Sequence, residues 1–155
     1  MTEGTPLFGF YLDGRVLAFP LAVVIRAIFS VEVTPLPTSP DIVIGVISYH
    51  GTIVPVVDLR VRFGVPPKEI LPSDRFILIR TQRLLLAVVA SKVSGVLKPL
   101  YAVTPVKDIL PGARYISGML PNEEQLILIH DPDMFLSLEE EITLGKALAG
   151  TGEVQ

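Results

Sequence analysis

The sequence contains no cysteine and no tryptophan, and only 19% of its 155 residues are charged. Without cysteine, disulfide bonds and thiolate chemistry are excluded. The 13 basic and 16 acidic side chains give a slightly acidic chain, and its arginines are scattered along the sequence. Nucleic-acid binding is therefore disfavoured, because it normally requires a basic stripe with interleaved aromatic residues.

Long apolar runs are missing as well. Half of the residues are hydrophobic, yet they occur in short runs such as Leu84 to Ala90. A membrane helix needs roughly 18 or more consecutive apolar residues, so no membrane-spanning segment is predicted. No Lys or Arg precedes Arg15, which argues against a secretory signal peptide. A cytoplasmic protein with a sizeable core and room for exposed apolar docking patches is the simplest interpretation.

The apolar runs are rich in β-branched residues and are separated by turn residues, which predicts a mainly β protein. The predicted strands are Leu7 to Leu12, Arg15 to Phe19, Ala27 to Thr34, Val46 to Tyr49, Ile53 to Val57, Arg75 to Arg80, Leu84 to Ala90, Val93 to Leu97, Tyr115 to Leu120 and Leu126 to His130. Between the first two strands, Asp13-Gly14 predicts a two-residue hairpin turn with positive φ. Short strands joined by tight turns are typical of small barrels or a sandwich.

Helices are predicted to be few and short, each starting at a capping signal. They are placed after Ser39-Pro40 as far as Gly45, over Leu59 to Phe63 behind Asp58, over Asp133 to Leu136 behind Asp131-Pro132, and from the capping box Ser137 to Glu140 to about Leu148. Residues 150–155 are expected to form a flexible tail.

A diverged repeat is visible in the order of the elements. The segment from Gly45 to Asp58 aligns without gaps with the segment from Gly118 to Asp131. Each half then consists of a hairpin, a strand, a second pair of strands and an aspartate-capped turn. This predicts two five-stranded halves with cores over about 15–65 and 75–135, joined by the proline-containing linker 65–74.

No catalytic or cofactor motif is present: the sequence has no phosphate-binding glycine loop, no nucleophile elbow and no pair of histidines at helical spacing. His50 and His130 fall at different places in the two halves, so no metal site is predicted. Asp58 and Asp131 occupy equivalent places before short helices, which favours capping over a catalytic carboxylate pair. The chain is therefore predicted not to be an enzyme, with a small β-barrel hydrolase as the remote alternative.

The segment Tyr49 to Thr52 connects two strands. Either it is a tight turn with Gly51 at positive φ, or His50 is a polar contact presented at a loop tip. Pro55 cannot donate a ladder hydrogen bond, so its strand is expected at a sheet edge or bulged there.

The segment Gly45-Val-Ile-Ser-Tyr-His-Gly-Thr-Ile-Val-Pro-Val-Val-Asp-Leu-Arg60 resembles the signature of CheW-like domains, adaptors that join chemoreceptors to the histidine kinase CheA. The family pattern has Gly, two apolar residues, Asn, an apolar residue and Arg-Gly, followed by apolar residues around a Pro-Val and an Asp-Leu. The resemblance extends from about Phe8 to Leu148. It implies one domain over residues 1–150, built from two intertwined, five-stranded SH3-like barrels with a C-terminal helix.

The resemblance also implies two docking faces and no cofactor. One face contacts the regulatory domain of the CheA-type kinase, and the other contacts the cytoplasmic tip of a chemoreceptor. By position, the kinase-facing residues are Val24, Ile25 and Arg26. The receptor-facing residues are Gly45, His50, Gly51, Leu86, Ala87, Val88 and Val89.

Several residues depart from the family pattern. Ser48 and His50 stand where Asn and Arg are common, and neutral His cannot make the bidentate carboxylate contact of Arg. Arg26 stands where an acidic residue is frequent, and Ser91-Lys92 replaces a usual Asp-Gly. A different receptor class, a non-flagellar pathway, or a CheW-like domain detached from that system or cut from a CheV-type protein therefore stays open.

Overall fold

The computed structural model describes residues 6–98, 103–105, 116–122 and 125–153. The strands in these ranges are β1 (Leu7–Leu12), β2 (Arg15–Pro20), β3 (Val24–Phe29), β4 (Val43–Tyr49), β5 (Thr52–Val57), β6 (Arg75–Arg80), β7 (Leu85–Ala90), β8 (Lys92–Leu97), β9 (Thr104–Pro105), β10 (Ile116–Asn122) and β11 (Gln125–His130). The helices are α1 (Arg60–Phe63) and α2 (Leu138–Glu153), with 3₁₀ turns at Leu21–Val23 and Pro132–Met134. The prediction of a mainly β fold with short helices and a C-terminal helix is confirmed.

The strands form two sheets that exchange hairpins between the two halves of the chain. The six-stranded sheet has the order β8-β1-β2-β11-β10-β9, and the five-stranded sheet has the order β3-β6-β7-β5-β4. The β1–β2 hairpin joins the six-stranded sheet through parallel pairing of β2 with β11. In the same way, the β6–β7 hairpin joins the five-stranded sheet through parallel pairing of β7 with β5. The chain therefore passes from the six-stranded sheet to the five-stranded sheet after Pro20 and returns after Ala90. These crossing points do not coincide with the boundary between the two sequence repeats.

Both tight turns suggested by the sequence are type I′ hairpin turns. Asp13 and Gly14 have φ values of 51° and 82°, and His50 and Gly51 have φ values of 50° and 81°. Two consecutive residues at positive φ match the twist of the flanking strands. His50 is therefore both a turn residue and the tip of the β4–β5 hairpin.

The predicted helix before Gly45 is wrong, because this segment turns directly into β4. Val43 donates its N–H to the carbonyl of Pro40, and β4 begins at Val43. The β-branched residues Ile42, Val43 and Ile44 favour a strand over a helix. Gly45 lies inside that strand, so it does not act as a helix stop.

Gly45 and Gly118 allow two chain segments to cross closely at equivalent bulges. A Cβ atom on Gly45 would collide with the carbonyl oxygen of Thr34, and one on Gly118 would collide with the side chain of Val103. The register shifts beside each glycine, in β4 and in β10. The repeat therefore has a structural basis, since both halves use glycine where a crossing segment contacts a bulged strand.

β5 is not the edge strand that Pro55 suggested, because it lies between β7 and β4. The N–H and C=O of Val46, opposite Pro55, bond to Thr34 and so point away from β5. Val46 and Pro55 thus form a non-hydrogen-bonded pair, and the backbone nitrogen of Pro55, which carries no hydrogen, is on the side of β7. Pairing with β7 begins only at Val56, so the proline interrupts neither ladder.

Other boundaries differ from the predictions by a few residues. β3 ends at Phe29 rather than Thr34, and one further bond in the same register, from the N–H of Ser30 to the carbonyl of Asp74, closes its pairing with β6. Pro132–Met134 is a single 3₁₀ turn in place of the helix predicted over Asp133 to Leu136. α2 continues to Glu153, past the predicted end at Leu148.

α2 begins at the predicted capping box and packs on the core shared by the two sheets. Ser137 Oγ accepts the N–H of Glu140 at 3.1 Å, and Glu140 accepts the N–H of Ser137 at 2.8 Å. Leu144 on its inner face is buried in the same cluster as Phe10 of one sheet and Val88 of the other. The two sheets and α2 therefore stabilise one another.

Candidate docking surfaces

The predicted kinase-facing residues lie on β3, an edge strand of the five-stranded sheet. The register shifts between Val24 and Arg26, so Ile25 is the extra residue of a bulge. Ile25 is 47% exposed, Arg26 is exposed and Val24 is half-buried. Because a bulge on an edge strand redirects side chains and limits strand pairing, this segment presents an apolar and a cationic side chain to solvent.

The predicted receptor-facing residues do not form one surface. His50 and Gly51 are exposed at the tip of the β4–β5 hairpin, where the ring of Tyr49 packs edge-on against His50 with centroids 4.3 Å apart. Gly45 is buried beneath Thr34.

The side chains of Leu86, Ala87, Val88 and Val89 are buried in this structure, so they are not available at its surface for a partner. β7 lies between β6 and β5, and its two faces enter two different core clusters. A continuous apolar run of this kind is typical of a strand covered on both faces.

A buried ion-pair network that the sequence did not predict joins the two sheets. Arg60 of α1 is 2% exposed, and its Nε and Nη2 donate to the carboxylate of Asp13 at 2.6 and 3.1 Å. Its Nη1 donates to Asp58 Oδ2 at 3.2 Å, and Asp58 is 3% exposed. The hydrogen bond from Arg60 holds the pKa of Asp13 below its usual range. Since Asp13 lies in the β1–β2 turn and Asp58 directly follows β5, this network fixes one sheet against the other.

α1 also contacts the C-terminal helix. Arg62 Nη2 donates to Glu140 at 2.8 Å and to the carbonyl of Phe135. The guanidinium of Arg15 lies 5.0 Å from the ring centroid of Phe63. This four-residue helix therefore touches both sheets and the start of α2.

The polar residues considered for catalysis have structural contacts. Asp58 accepts the N–H of Arg60 at 3.0 Å, and Asp131 accepts the N–H of Asp133 at 3.1 Å. Both carboxylates therefore cap a turn at the same place in the repeat. In the ranges that the structure describes, no group of three potential metal ligands is found.

His130 is buried among the rings of Phe19, Phe63 and Phe135, with centroid distances of 6.4, 6.0 and 6.1 Å. Burial lowers the pKa of His130 to about 4, so the side chain is neutral at pH 7. It belongs to the core, whereas His50 is exposed.

These features define the class of protein: a mainly β domain of two sheets with a shared core, which exposes an edge strand and a hairpin turn. None of the helices described is long and apolar enough to cross a membrane.

Comparison with known proteins gives the family. The family model of the CheW-like domain matches residues 6–140, and the chain therefore belongs to this family. It is 29% identical over 141 residues to the chemotaxis protein CheW of Thermotoga maritima, covering 89% of each chain. It is 28% identical over 118 residues to CheW of Klebsiella aerogenes, covering 70% of this chain and 68% of that one. Protein FrzA of Myxococcus xanthus is 31% identical over 104 residues, with coverage of 67% and 62%.

The fold is similar to that of the scaffolding protein TtCheW from Thermoanaerobacter tengcongensis, with a TM-score of 0.78 at 18% identity. The match covers 89% of this chain and 96% of that structure. The two SH3-like subdomains expected from the sequence are thus confirmed.

Proposed function

We propose that this chain is a non-enzymatic adaptor that links a CheA-type histidine kinase to the cytoplasmic tips of chemoreceptors. The match of the CheW-like domain across residues 6–140 carries this proposal, together with relatives that are named chemotaxis proteins. The adaptor would work in the cytoplasm, held at receptor arrays by its partners.

The proposed kinase-facing surface is the exposed edge of β3, with Val24, Ile25 and Arg26. The exposure of Ile25 beside an arginine supports this choice, since exposed apolar side chains mark docking sites and arginine is enriched at protein interfaces. The proposed receptor-facing surface centres on the turn His50-Gly51. The buried strand β7 supports this surface from within rather than contacting the partner.

Scaffolding explains how such a chain acts without a catalytic site. Binding both partners at once raises their effective concentration for each other. Both proposed surfaces belong to the five-stranded sheet, in which β3 and β4 are the two edge strands, so a shift at the receptor-facing turn reaches the kinase-facing edge through this one sheet.

The replacement of common family residues by Arg26 and His50 favours one variant of this function. It is a CheW-like module serving a divergent receptor class or a non-flagellar pathway. In that variant the charges on the partners complement Arg26, and the receptor has a group that contacts histidine rather than arginine at position 50.

The proposal is tested by binding the purified protein separately to the regulatory domain of the cognate kinase and to a receptor-tip fragment. Arg26→Glu should weaken the kinase contact at least several-fold, and His50→Ala should weaken only the receptor contact. Lys146→Glu reverses an exposed charge on α2 and serves as the matched control. If the folded protein retains neither partner, the assignment is wrong; kinase binding unchanged by Arg26→Glu would move that interface elsewhere.

A further inference from the structure

An open cavity of about 410 Å³ lies between the segment that follows β3 and the segment that precedes β6. Its apolar lining includes Val31, Val33, Ile70 and Leu71, and the carboxylates of Glu32 and Glu69 also line it. Val31 is 48% exposed and Leu71 is 43% exposed, although both are large apolar side chains. Exposed apolar side chains gathered in one cavity are typical of a docking site.

The wall of the cavity next to β6 is held by hydrogen bonds. The buried carboxylate of Asp74 accepts the N–H of Leu71 at 2.8 Å, and the carbonyl of Leu71 accepts the N–H of Asp74 at 2.9 Å. Ser30 locks this turn to the end of β3, because its hydroxyl donates to Leu71 at 2.8 Å and its N–H donates to Asp74 at 3.0 Å. The wall therefore exists before any partner binds.

The opposite wall is fixed to the sheet as well. Thr34, next to Val33, exchanges two backbone hydrogen bonds of 2.9 and 2.8 Å with Val46 of β4. A site with both walls preformed loses little conformational entropy when it is occupied.

The charged residues that line the cavity are both acidic. Glu32 and Glu69 are exposed and form no ion pair with any described residue. Nearby cations are engaged elsewhere: the guanidinium of Arg75 lies 3.9 Å from the ring centroid of Phe29, and Lys68 lies 3.8 Å from Asp13. A cavity lined by apolar side chains and two glutamates is complementary to an apolar side chain flanked by Lys or Arg.

We infer that this cavity binds an apolar side chain flanked by a basic residue on the regulatory domain of the kinase. The kinase is favoured because the cavity starts directly after Phe29, the last residue of β3, and so continues the proposed kinase-facing surface. The inference rests on the proposed function and adds the chemistry of the contact: the apolar side chain contacts Val31 and Leu71, while the cation lies between Glu32 and Glu69.

The test measures the affinity of the full chain for the kinase regulatory domain by titration calorimetry at two salt concentrations. Leu71→Ser should weaken binding about ten-fold or more, as expected for an apolar contact at the centre of an interface. The double variant Glu32→Gln with Glu69→Gln should weaken binding a few-fold and reduce its dependence on salt. The matched controls are Leu138→Ser and Glu139→Gln, which change exposed residues of α2 and should bind as the wild type does.

Thermal unfolding shows whether each variant is folded, and Val31→Ser replaces Leu71→Ser if the latter is not. If both cavity variants bind like the wild type while Arg26→Glu loses affinity, the inference is overturned and the proposed function stands. If they instead lose affinity for the receptor tip or for a second copy of the chain, the assigned occupant is wrong. If the wild type does not bind the kinase at all, the proposed function fails and this inference fails with it.

Discussion

Replacing Arg60 by Met should destabilise the protein far more than the same replacement of an exposed arginine. The substitution keeps an unbranched chain about as long as the aliphatic stem of arginine but removes the guanidinium that bonds Asp13 at 2.6 and 3.1 Å and Asp58 at 3.2 Å. Asp58 is only 3% exposed, so its carboxylate would lose a cationic partner inside the protein. Removing one partner of a buried ion pair costs about 3–5 kcal/mol. A loss of that size is a large part of the roughly 5–15 kcal/mol that stabilises a typical domain.

The assay is urea unfolding at pH 7, with Arg83→Met as the control. Arg83 is mostly exposed and pairs with Glu141, so its loss should lower the free energy of unfolding by less than about 1 kcal/mol. Adding Asp13→Asn to Arg60→Met should recover part of the loss, because the amide carries no charge and asparagine tolerates the positive φ of this turn. If Arg60→Met costs no more than Arg83→Met, the network does not hold the sheets together and the reasoning is refuted.

Two further predictions concern the glycine crossing and the buried histidine. Gly45→Ala should lower the free energy of unfolding by about 1–3 kcal/mol, because its methyl group meets the Thr34 carbonyl. Gly145→Ala, at an exposed position of α2, should instead raise the free energy of unfolding by about 0.5–1 kcal/mol. Chemical denaturation measures both values, and a Gly45→Ala variant as stable as the wild type would contradict the close approach to Thr34. For His130, the folded-state pKa of about 4 lies below the unfolded value, so the unfolded state binds the proton first as the pH falls. The free energy of unfolding should therefore fall by about 3 kcal/mol between pH 6.5 and 4 because of His130. Thermal melts at both pH values should show that His130→Leu abolishes this decrease, whereas the control His50→Gln retains it.

Local signals in the sequence were sufficient for much of the fold. Asp13-Gly14 predicts a hairpin turn because this residue pair accepts positive φ, whereas for the second hairpin the sequence indicated positive φ at Gly51 only and the structure adds His50. Ser137 and Glu140 predict the start of α2 because their reciprocal hydrogen bonds depend only on spacing within one turn.

Local sequence signals could not predict features that depend on contacts between segments far apart in the chain. The exchange of the β1–β2 and β6–β7 hairpins follows from parallel pairings between strands far apart in sequence, and short strands do not specify such partners. The family resemblance implied a docking surface at Leu86 to Val89, but the two faces of β7 enter two different core clusters and these side chains are buried. Arg60 gave no signal either, because its burial results from Asp13, which lies 47 residues away in the chain.

The central claim is that one chain holds the kinase and the receptor together on separate faces. The most direct measurement is the mass of the complex formed when the chain is mixed with the kinase regulatory domain and a receptor-tip fragment, determined by light scattering after size-exclusion chromatography. We expect a ternary complex that contains all three proteins, which loses the kinase domain with Arg26→Glu and the receptor fragment with His50→Ala. Two mutually exclusive binary complexes would contradict separate faces, and no complex with either partner would contradict the adaptor function itself.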